Sequence, residues 1–582
     1  MSAAKKPVIA SVSVGLGDSP DLPEQDLPRM RVVVVAEAGP HADHGVAEGA
    51  GGFVRVERDL DSAMAALGGR VVVEVALPLV DGARERIEIP IDSLKVFRPA
   101  GLAERVAPLA ALVEARRALG AAPGSDEAKA ARTRALTLAP NAMRAALSEV
   151  LEAPRASAPA QASSAPGGGK SAIDDLFDRV GVGAEEVAAA PSAISAIARS
   201  AGSGDVDPTL GGRTARIDAA LTRGIATLLA HSELRRLERV WTSLKLLREH
   251  AGESVVVDLV AVSQDAAAEA LAAIAEHAES SGEGVDLIVV DQCVGTAPVD
   301  AARLEAYALE AERMHAPLLA STVPEVLGFD ELAQLARSQR RLGAPDDPRT
   351  APIRAFMARD AARWVLLSLN GPLLRAPFQT NVAGVRFTEG GDGFVHALPA
   401  FAVAAVVSAA FSRDAWPAPH DGPRHGTLAN LAVRQEGDSP AWSLEHPMAI
   451  DVQKAAARAG VALWGGPEGR DQATLAFAPM AFRGAAFATG GDPPAALTLS
   501  DQLLIARVVS VLKQLTAEIP AGTPAPIVKE VALLSLASSF PEGDRPEVAT
   551  DSDGRSLVVR VDAKGWRGVT IGTLEMSAAL AG

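Results

Sequence analysis

The sequence is poor in cysteine, in aromatic residues and in positive charge. Its 582 residues include one cysteine, Cys293, and one tyrosine, and aromatic residues make up 4% of the chain. A single cysteine cannot form an internal disulfide or a cysteine-rich metal site, so a secreted disulfide scaffold is disfavoured. The 72 acidic residues outnumber the 56 basic residues and give a net charge of −16. This balance argues against nucleic acid as a partner and against binding to anionic lipid.

Long hydrophobic segments are also missing. The start, MSAAKKPVIA, lacks the apolar core of a signal peptide. The longest apolar stretch, residues 398–411, is shorter than the ~20 residues that a membrane-spanning helix needs. We therefore expect a cytoplasmic protein without membrane insertion. Hydrophobic residues still make up 48% of the chain, which is enough for packed cores in about three to four domains.

The motifs that could carry chemistry are incomplete. Residues 167–171, GGGKS, end like a phosphate-binding loop, but Ser164 stands where the pattern needs its first glycine. His41 and His44 lie in a polar loop without further identifiable metal ligands. Cys293 follows an apolar run, which favours a small buried hydrophobe over a nucleophile. The sequence therefore indicates no catalytic residue, no metal site and no cofactor, and we expect no enzyme.

A stretch rich in proline, alanine, serine and glycine divides the chain. Residues 153–170 read APRASAPAQASSAPGGGK, a composition that cannot bury enough apolar surface to offset its ordering entropy. The predicted organisation is a small domain at 1–152, a linker at 153–172 and a large domain at 173–582, with a helical start at 173–250 and an α/β core at 251–582.

Segments of strand and helix pattern alternate on both sides of this linker, which predicts a mixed α/β fold. Valine-rich or alternating segments predict strands at 31–37, 69–78, 85–91, 254–262, 285–291, 317–321, 364–369, 460–463, 556–562 and 568–576. Apolar residues at helical spacing predict helices at 60–67, 102–119, 213–250, 266–277, 300–314, 399–411 and 499–515.

One predicted helix carries the most specific pattern. Residues 230–247 read AHSELRRLERVWTSLKLL, with a stripe of leucines and one tryptophan on one face. The segment resembles the hallmark helix of the large sheath subunit of the bacterial type VI secretion system, with Ser232 in place of the usual proline. The positions that match are His231, Leu237, Glu238, Trp241 and Leu244.

Further segments resemble the same family in the same order. Residues 314–329 and 356–378 resemble two more segments of the large subunit, and residues 89–119 resemble the small subunit. The matched positions are His315, Pro317, Trp364, Arg375 and Pro377 for the large subunit and Phe97 and Pro99 for the small one. The order is small subunit, linker, large subunit, which resembles a fusion of two proteins that are usually separate chains.

The resemblance implies a structural subunit of a contractile sheath, which polymerises with copies of itself into a helical tube around an inner tube and ejects that tube by contracting. It implies an Hcp-like inner-tube protein, baseplate proteins and a ClpV-like AAA+ unfoldase as partners. Strands exchanged between protomers would use Ile9, Val12, Val14, Leu557, Val559, Val561, Val569 and Ile571. The unfoldase would grip a helix through Ile173, Leu176, Phe177 and Val180.

Two alternatives stay open at this point. The terminal strands could pair within their own domain and not with a neighbour. The whole chain could also be a degenerate sheath relative that acts as an adaptor or as an uncharacterised enzyme, since several aromatic residues of the family pattern are replaced.

Overall fold

The described structure leaves out several segments of the chain. A computed structural model describes residues 29–39, 53–80, 82–152, 210–281, 283–338, 342, 347–391, 393–485, 497–520 and 522–580. The predicted linker, the GGGKS segment and the pair His41 and His44 lie outside the described residues.

The first part of the chain consists of four strands and five helices within its described residues. The strands are β1 (Met30–Ala36), β2 (Val54–Arg55), β3 (Arg70–Ala76) and β4 (Arg84–Pro90). The helices are α1 (Leu60–Leu67), α2 (Pro99–Arg105), α3 (Ala107–Gly120), α4 (Asp126–Leu138) and α5 (Asn141–Leu151).

Local chemistry sets the ends of the first helices. The side chain of Asp59 caps α1 by accepting the N–H of Asp61, and Gly68 ends the helix with a φ of 58°, a left-handed conformation that glycine adopts without strain. The helical pattern predicted at 102–119 is confirmed, but it does not form one continuous helix. It is two helices that break at Val106, because Pro108 in the first turn of α3 has no N–H to continue the preceding helix.

The second part carries the remaining elements. Its helices are α6 (Leu210–Leu229), α7 (Ser232–His250), α8 (Ala267–Ser281), α9 (Pro298–Met314), α10 (Leu332–Ala336), α11 (Ala351–Met357), α12 (Pro399–Asp414), α13 (Gly422–His425), α14 (Ile450–Arg458), α15 (Leu499–Glu518) and α16 (Ala525–Ser538). Its strands are β5 (Val255–Ala261), β6 (Leu287–Val294), β7 (Leu318–Thr322), β8 (Val365–Leu369), β9 (Leu373–Arg375), β10 (Gln379–Val382), β11 (Val385–Thr388), β12 (Val395–His396), β13 (Thr427–Leu428), β14 (Val461–Gly465), β15 (Ala473–Leu475), β16 (Glu547–Ser552), β17 (Ser556–Asp562) and β18 (Thr573–Ala579).

A mixed nine-stranded sheet organises the fold, which confirms the predicted mixed α/β class. Its strand order is β13-β15-β14-β8-β7-β6-β1-β5-β2. The strands from β14 to β5 run parallel, and the short strands at both edges run antiparallel. The strand β1 comes from the first part of the chain, yet it lies in the middle of a sheet built by the second part.

Both faces of β1 are buried. Val32 and Val34 belong to the apolar core on one side of the sheet, and Val33 and Val35 belong to the core on the other side. The first core is completed by α7 and α12, and the second by α8 and α9. A continuous run of four valines is the pattern expected of a parallel strand that helices cover on both faces. One strand of the first part therefore contributes to both main cores of the second.

A second, smaller sheet lies near the carboxyl terminus. The antiparallel strands β16, β17 and β18 pack with α15 and α16 around a separate apolar cluster that includes Trp416, Leu504 and Leu536. The structure confirms the strand predicted at 556–562 as β17. The strand predicted at 568–576 begins later, at Thr573, because the 3-10 turn Trp566–Gly568 and side-chain contacts of the following residues keep this segment out of the ladder.

The central position of β1 yields a prediction about the two parts. Residues 210–582 expressed without the first part should aggregate or stay partly unfolded, because β5 and β6 lose their backbone partner and both cores lose buried valines, each worth about 1.5–3 kcal/mol. Co-expression of residues 1–152 should restore a soluble 1:1 complex, measured by size-exclusion chromatography and hydrogen exchange. A monodisperse 210–582 fragment that melts at the temperature of the full chain would show that β1 is dispensable.

Candidate assembly site

A buried ion cluster connects α7 to the segment that follows β8. The guanidinium of Arg375 donates to both carboxylate oxygens of Glu238, at 2.7 and 3.0 Å, and to Oε2 of Glu389 at 2.7 Å. The same guanidinium lies 4.0 Å from the ring centre of Phe378, whose backbone N–H also donates to Glu389. Both carboxylates are at least 95% buried, so the arginine is their main source of counter-charge.

The surroundings of this cluster shift its ionisation. Burial raises the pKa of Glu238, and the hydrogen bonds and charge of Arg375 only partly oppose this. Desolvation acts against the charged form of Arg375 too, but its hydrogen bonds to Glu238 and Glu389 raise its pKa overall. A single guanidinium thus holds two buried carboxylates, which is a stable arrangement only while all three groups are present.

Side chains of α7 close the carboxyl end of β1. Arg236 donates to the carbonyl oxygen of Glu37 at 2.6 Å and lies 3.1 Å from its carboxylate. The indole N–H of Trp241 donates to the carbonyl oxygen of Ala38 at 2.9 Å. The N–H of Glu37 donates to the carboxylate of Asp291, whose pKa burial raises to about 6. Polar groups at the end of β1 are therefore satisfied by the second part of the chain.

A buried carboxylate joins the other strands of this region. Asp258 on β5 is 1% exposed and accepts hydrogen bonds from Arg31 at 2.8 Å and Arg55 at 2.6 Å. Both arginines belong to the first part of the chain. The joint between the two parts thus combines backbone pairing, apolar burial and paired charges.

Most of the residues that match the family pattern on α7 and in the small-subunit segment are buried at the joint between the two parts. Leu237, Trp241 and Leu244 are fully buried in the core that also holds Phe97. Pro99 is buried in the first turn of α2. His231 occupies the N-cap position of α7 without a side-chain capping bond.

The pattern residues further along the chain lie elsewhere. His315 ends α9 in a left-handed conformation, with its ring edge-on to Trp364 at 5.7 Å and its Nδ1 3.0 Å from Nζ of Lys513. Pro317 precedes the buried strand β7, and Pro377 is half-buried beside the ion cluster. These residues support the second part and do not contact the end of β1.

The predicted exchange residues near the carboxyl terminus point inward. Leu557, Val559 and Val561 lie on β17, which pairs with β16 on one side and with β18 on the other. Their side chains are fully buried in the terminal apolar cluster. Val569 and Ile571 precede β18 and lie outside any strand. The open edges of this sheet are those of β16 and β18, which pair with no further strand among the described residues.

One buried carboxylate anchors this terminal sheet. Asp501, in the first turn of α15, accepts the backbone N–H groups of Thr570 at 2.6 Å and Ile571 at 3.0 Å. Its other oxygen accepts the N–H and hydroxyl of Thr498 and the hydroxyl of Thr570. Because Asp501 is fully buried, these bonds tie the start of β18 to the amino end of α15.

The remaining predicted residues fall outside the described structure. They are Ile9, Val12 and Val14 for strand exchange and Ile173, Leu176, Phe177 and Val180 for unfoldase binding. Among the described residues, no group of three or more His, Cys, Asp or Glu side chains converges on a metal position, and no helix is long and apolar enough to cross a bilayer. The interpretation of Cys293 as buried is wrong: it is exposed near the end of β6, where the pairing with β7 shifts register.

Sequence reasoning missed Asp258, Glu389 and Asp501. Asp258 could have been recognised from the sequence, because a charged residue interrupts the apolar run VVVDLVA of a strand that should be buried on both faces. Asp501 could have been recognised in part, because Thr498 and Asp501 have the spacing of a capping box at the start of α15, although the bonds to Thr570 and Ile571 could not. Glu389 had no such signal, since its partners Arg375 and Phe378 are more than ten residues away.

Comparisons with protein families identify the class. Residues 212–459 match the family described as EvpB/VC_A0108, tail sheath N-terminal domain (VipB). Residues 22–150 match the family of the type VI secretion system protein VipA (VC_A0107 or Hcp2). The chain is therefore a contractile sheath protein. It belongs to the sheath proteins of type VI secretion systems and carries small-subunit and large-subunit domains in one polypeptide, which gives it a structural role.

Several solved structures are similar to the chain over part of its length. The anti-feeding prophage baseplate, determined by cryo-EM with 6-fold symmetry, is 10% identical over 58% of this chain and 76% of that chain, with a TM-score of 0.28. The contracted helical sheath of the same particle is 12% identical over 59% and 78%, with a TM-score of 0.30. The sheath tail protein Lin1278 from Listeria innocua is 12% identical over 54% and 59%, with a TM-score of 0.26. A comparison with curated proteins finds no match.

The ion cluster predicts a pH-dependent loss of stability. Arg375→Ala should lower the free energy of unfolding by about 3–5 kcal/mol at pH 7.5, because two buried carboxylates lose their counter-charge. The decrease in the free energy of unfolding caused by Arg375→Ala should be smaller near pH 5. Burial already raises the pKa of Glu238 in the folded state, and removal of the guanidinium raises it further. The folded variant then binds more protons than the unfolded chain, so its stability rises as the pH falls.

Urea unfolding of both proteins at the two pH values measures this effect. The matched control is Arg386→Ala, an exposed arginine on the neighbouring strand β11, which should change stability by less than about 0.5 kcal/mol. Equal losses for Arg375→Ala at both pH values would mean that the carboxylates do not take up protons.

The anchor at Asp501 predicts a local effect. Asp501→Ala should destabilise the protein by about 3 kcal/mol, because the backbone N–H groups of Thr570 and Ile571 and the hydroxyl groups of Thr498 and Thr570 lose their shared acceptor. Hydrogen exchange should become faster in β17 and β18 and stay unchanged in β1. Asp551→Ala, which removes an exposed carboxylate of the same sheet, is the control and should leave exchange in β18 unaltered. Unchanged protection of β18 in Asp501→Ala would contradict the anchoring role.

Proposed function

We propose that copies of this chain polymerise into a helical sheath around an inner tube, and that contraction of this sheath ejects the inner tube from a baseplate. The observation that carries the proposal is the joint of the two parts. Both sheath subunits are present in one polypeptide, and β1 of the small-subunit part completes the sheet of the large-subunit part. A single chain can therefore supply one whole building block, with its subunits in a fixed 1:1 ratio.

Neighbouring copies would be linked through the terminal sheet. The outer edges of β16 and β18 pair with no described strand, and unpaired strand edges accept strands from other chains. The segment with Ile9, Val12 and Val14 contains the β-branched apolar residues that favour strands and is the proposed donor. Leu557, Val559 and Val561 would act indirectly, by holding β17 against the core so that the edges of its neighbours stay in place.

The other proposed partners follow from the family. An Hcp-like protein would form the inner tube, and baseplate proteins would nucleate the sheath. A ClpV-like unfoldase would bind Ile173, Leu176, Phe177 and Val180 and disassemble contracted sheaths. We propose that the protein works in the cytoplasm and has no enzymatic activity, and that the domain boundaries lie at the 153–172 linker.

Assembly is tested by expressing the full chain together with an Hcp-like inner-tube protein. Negative-stain electron microscopy should show tubes or stacked rings. Folded, monodisperse monomers as the sole product under these conditions would overturn the proposal and favour an adaptor or enzymatic role.

The donor strand is tested by deletion. A chain that lacks residues 1–15 should fold with an unchanged melting temperature but form no tubes, because the acceptor edges of β16 and β18 stay empty. A chain with Val12→Asp and Val14→Asp should behave in the same way, which separates loss of strand addition from loss of length. Normal tubes from both variants would exclude this segment as the donor.

A further inference from the structure

A basic cavity lies where the first part of the chain meets the last turns of α7. Its volume is about 590 Å³, and its walls come from the start of α1, the turn before α2 and the carboxyl-terminal half of α7. Half of its ten lining residues are basic: Arg58, Lys95, Arg98, Lys245 and Arg248. This local excess of positive charge contrasts with the net charge of −16 for the whole chain.

The three acidic residues of the lining are already engaged. The carboxylate of Asp59 caps α1, and that of Asp61 accepts the N–H of Leu94 at 3.0 Å. Glu249 lies 3.4 Å from Lys245, one helical turn away. Among the described residues, no carboxylate forms an ion pair with Arg248 or with the exposed Lys95 and Arg98 beside it. The cavity therefore holds cationic groups that no carboxylate of the described ranges neutralises by an ion pair.

Arg248 is the most buried cation of the cavity lining. The residue is 8% exposed, and its Nη1 donates to the carbonyl oxygen of Ala251 at 2.6 Å. Its buried Nε makes no hydrogen bond to any described residue. Desolvation and the neighbouring charge of Arg58 lower the pKa of Arg248, only partly offset by Glu57. A buried guanidinium with an unused donor is costly unless an acceptor joins it.

The charged residues that line the cavity indicate which class of ligand it would bind. Eight of the ten lining residues are charged and only Leu60 and Leu94 are apolar, so the cavity favours a charged ligand over an uncharged hydrophobic one. Guanidinium groups pair with phosphate oxygens through two parallel hydrogen bonds. The volume falls within the range of about 300–1,000 Å³ that is typical of small-molecule sites.

We propose that this cavity binds a small polyanion with linked phosphate groups, held by Arg248 inside and by Arg58, Lys95 and Arg98 at the rim. The ligand would contact both the first part of the chain and α7, so it would strengthen the joint on which the sheet depends. Binding at this place does not depend on whether the chain forms tubes.

Tripolyphosphate is the probe, and the full-length protein is titrated with it by calorimetry at low and moderate salt. The wild type should bind it saturably, with one ligand per chain and a raised melting temperature. Lys95→Gln combined with Arg98→Gln should weaken binding at least about tenfold, since the variant loses two positive charges that would donate hydrogen bonds to the phosphate groups. Both residues are exposed, so the variant should fold.

The matched control removes two positive charges at a place outside the cavity. Arg84→Gln combined with Arg86→Gln changes two exposed arginines of β4, which do not line the cavity, and should leave the affinity within twofold. Arg248→Gln should abolish binding while the Lys95 and Arg98 variant keeps a residual signal.

Three results would overturn the proposal. The first is no saturable binding by the wild type. The second is an equal loss in the cavity variant and in the control, which would indicate a general charge effect. The third is tighter binding of an acidic peptide with the sequence of residues 18–26, which would assign the cavity to a protein segment and not to a phosphate compound.

Discussion

The structure depends on the insertion of β1 between β5 and β6. All seven residues of β1 are in register with β5, and four of them are also in register with β6. Its four valines alternate between the two main cores, so removal of this one strand would open both faces of the sheet at its centre. The sheet of the large-subunit part is therefore incomplete without the small-subunit part. A covalent fusion guarantees that the missing strand is present at high local concentration whenever the sheet forms.

The position of β1 also explains why protein side chains occupy the place where ligands usually bind to an open α/β sheet. The chain order runs away from β1 on both sides, to β5 on one and to β6, β7 and β8 on the other. In open α/β sheets, ligands bind at the carboxyl ends of strands at such a reversal. Here Arg236 and Trp241 of α7 occupy the end of β1 and bond to the carbonyl groups of Glu37 and Ala38. A crevice that could hold a cofactor is instead filled by the joint between the two parts.

Local features were predictable from the sequence, and distant pairings were not. The valine run of β1, the capped helix α1 and the alternating strand β17 each follow from a pattern within ten residues. The pairing of β1 with β5 joins residues more than 220 positions apart, and the cluster of Glu238 with Arg375 joins residues 137 positions apart. No local pattern encodes such contacts. The resemblance on α7 identified the family, but it did not reveal that Trp241 bonds to the end of β1 while Glu238 pairs with Arg375.

The joint at β1 and the terminal sheet differ in how they are packed. The joint at β1 is built into both main cores, so opening it amounts to global unfolding. The terminal sheet has its own small apolar cluster, two open edges and one buried anchor at Asp501. A change of contacts between copies that leaves the protein folded would therefore keep the joint at β1 closed and take place at the terminal sheet. Rigid bodies linked by small, separately packed elements are a common basis of such rearrangements. The division of the core into two large clusters and one small one thus assigns stability to the centre of the protomer and adaptability to its end.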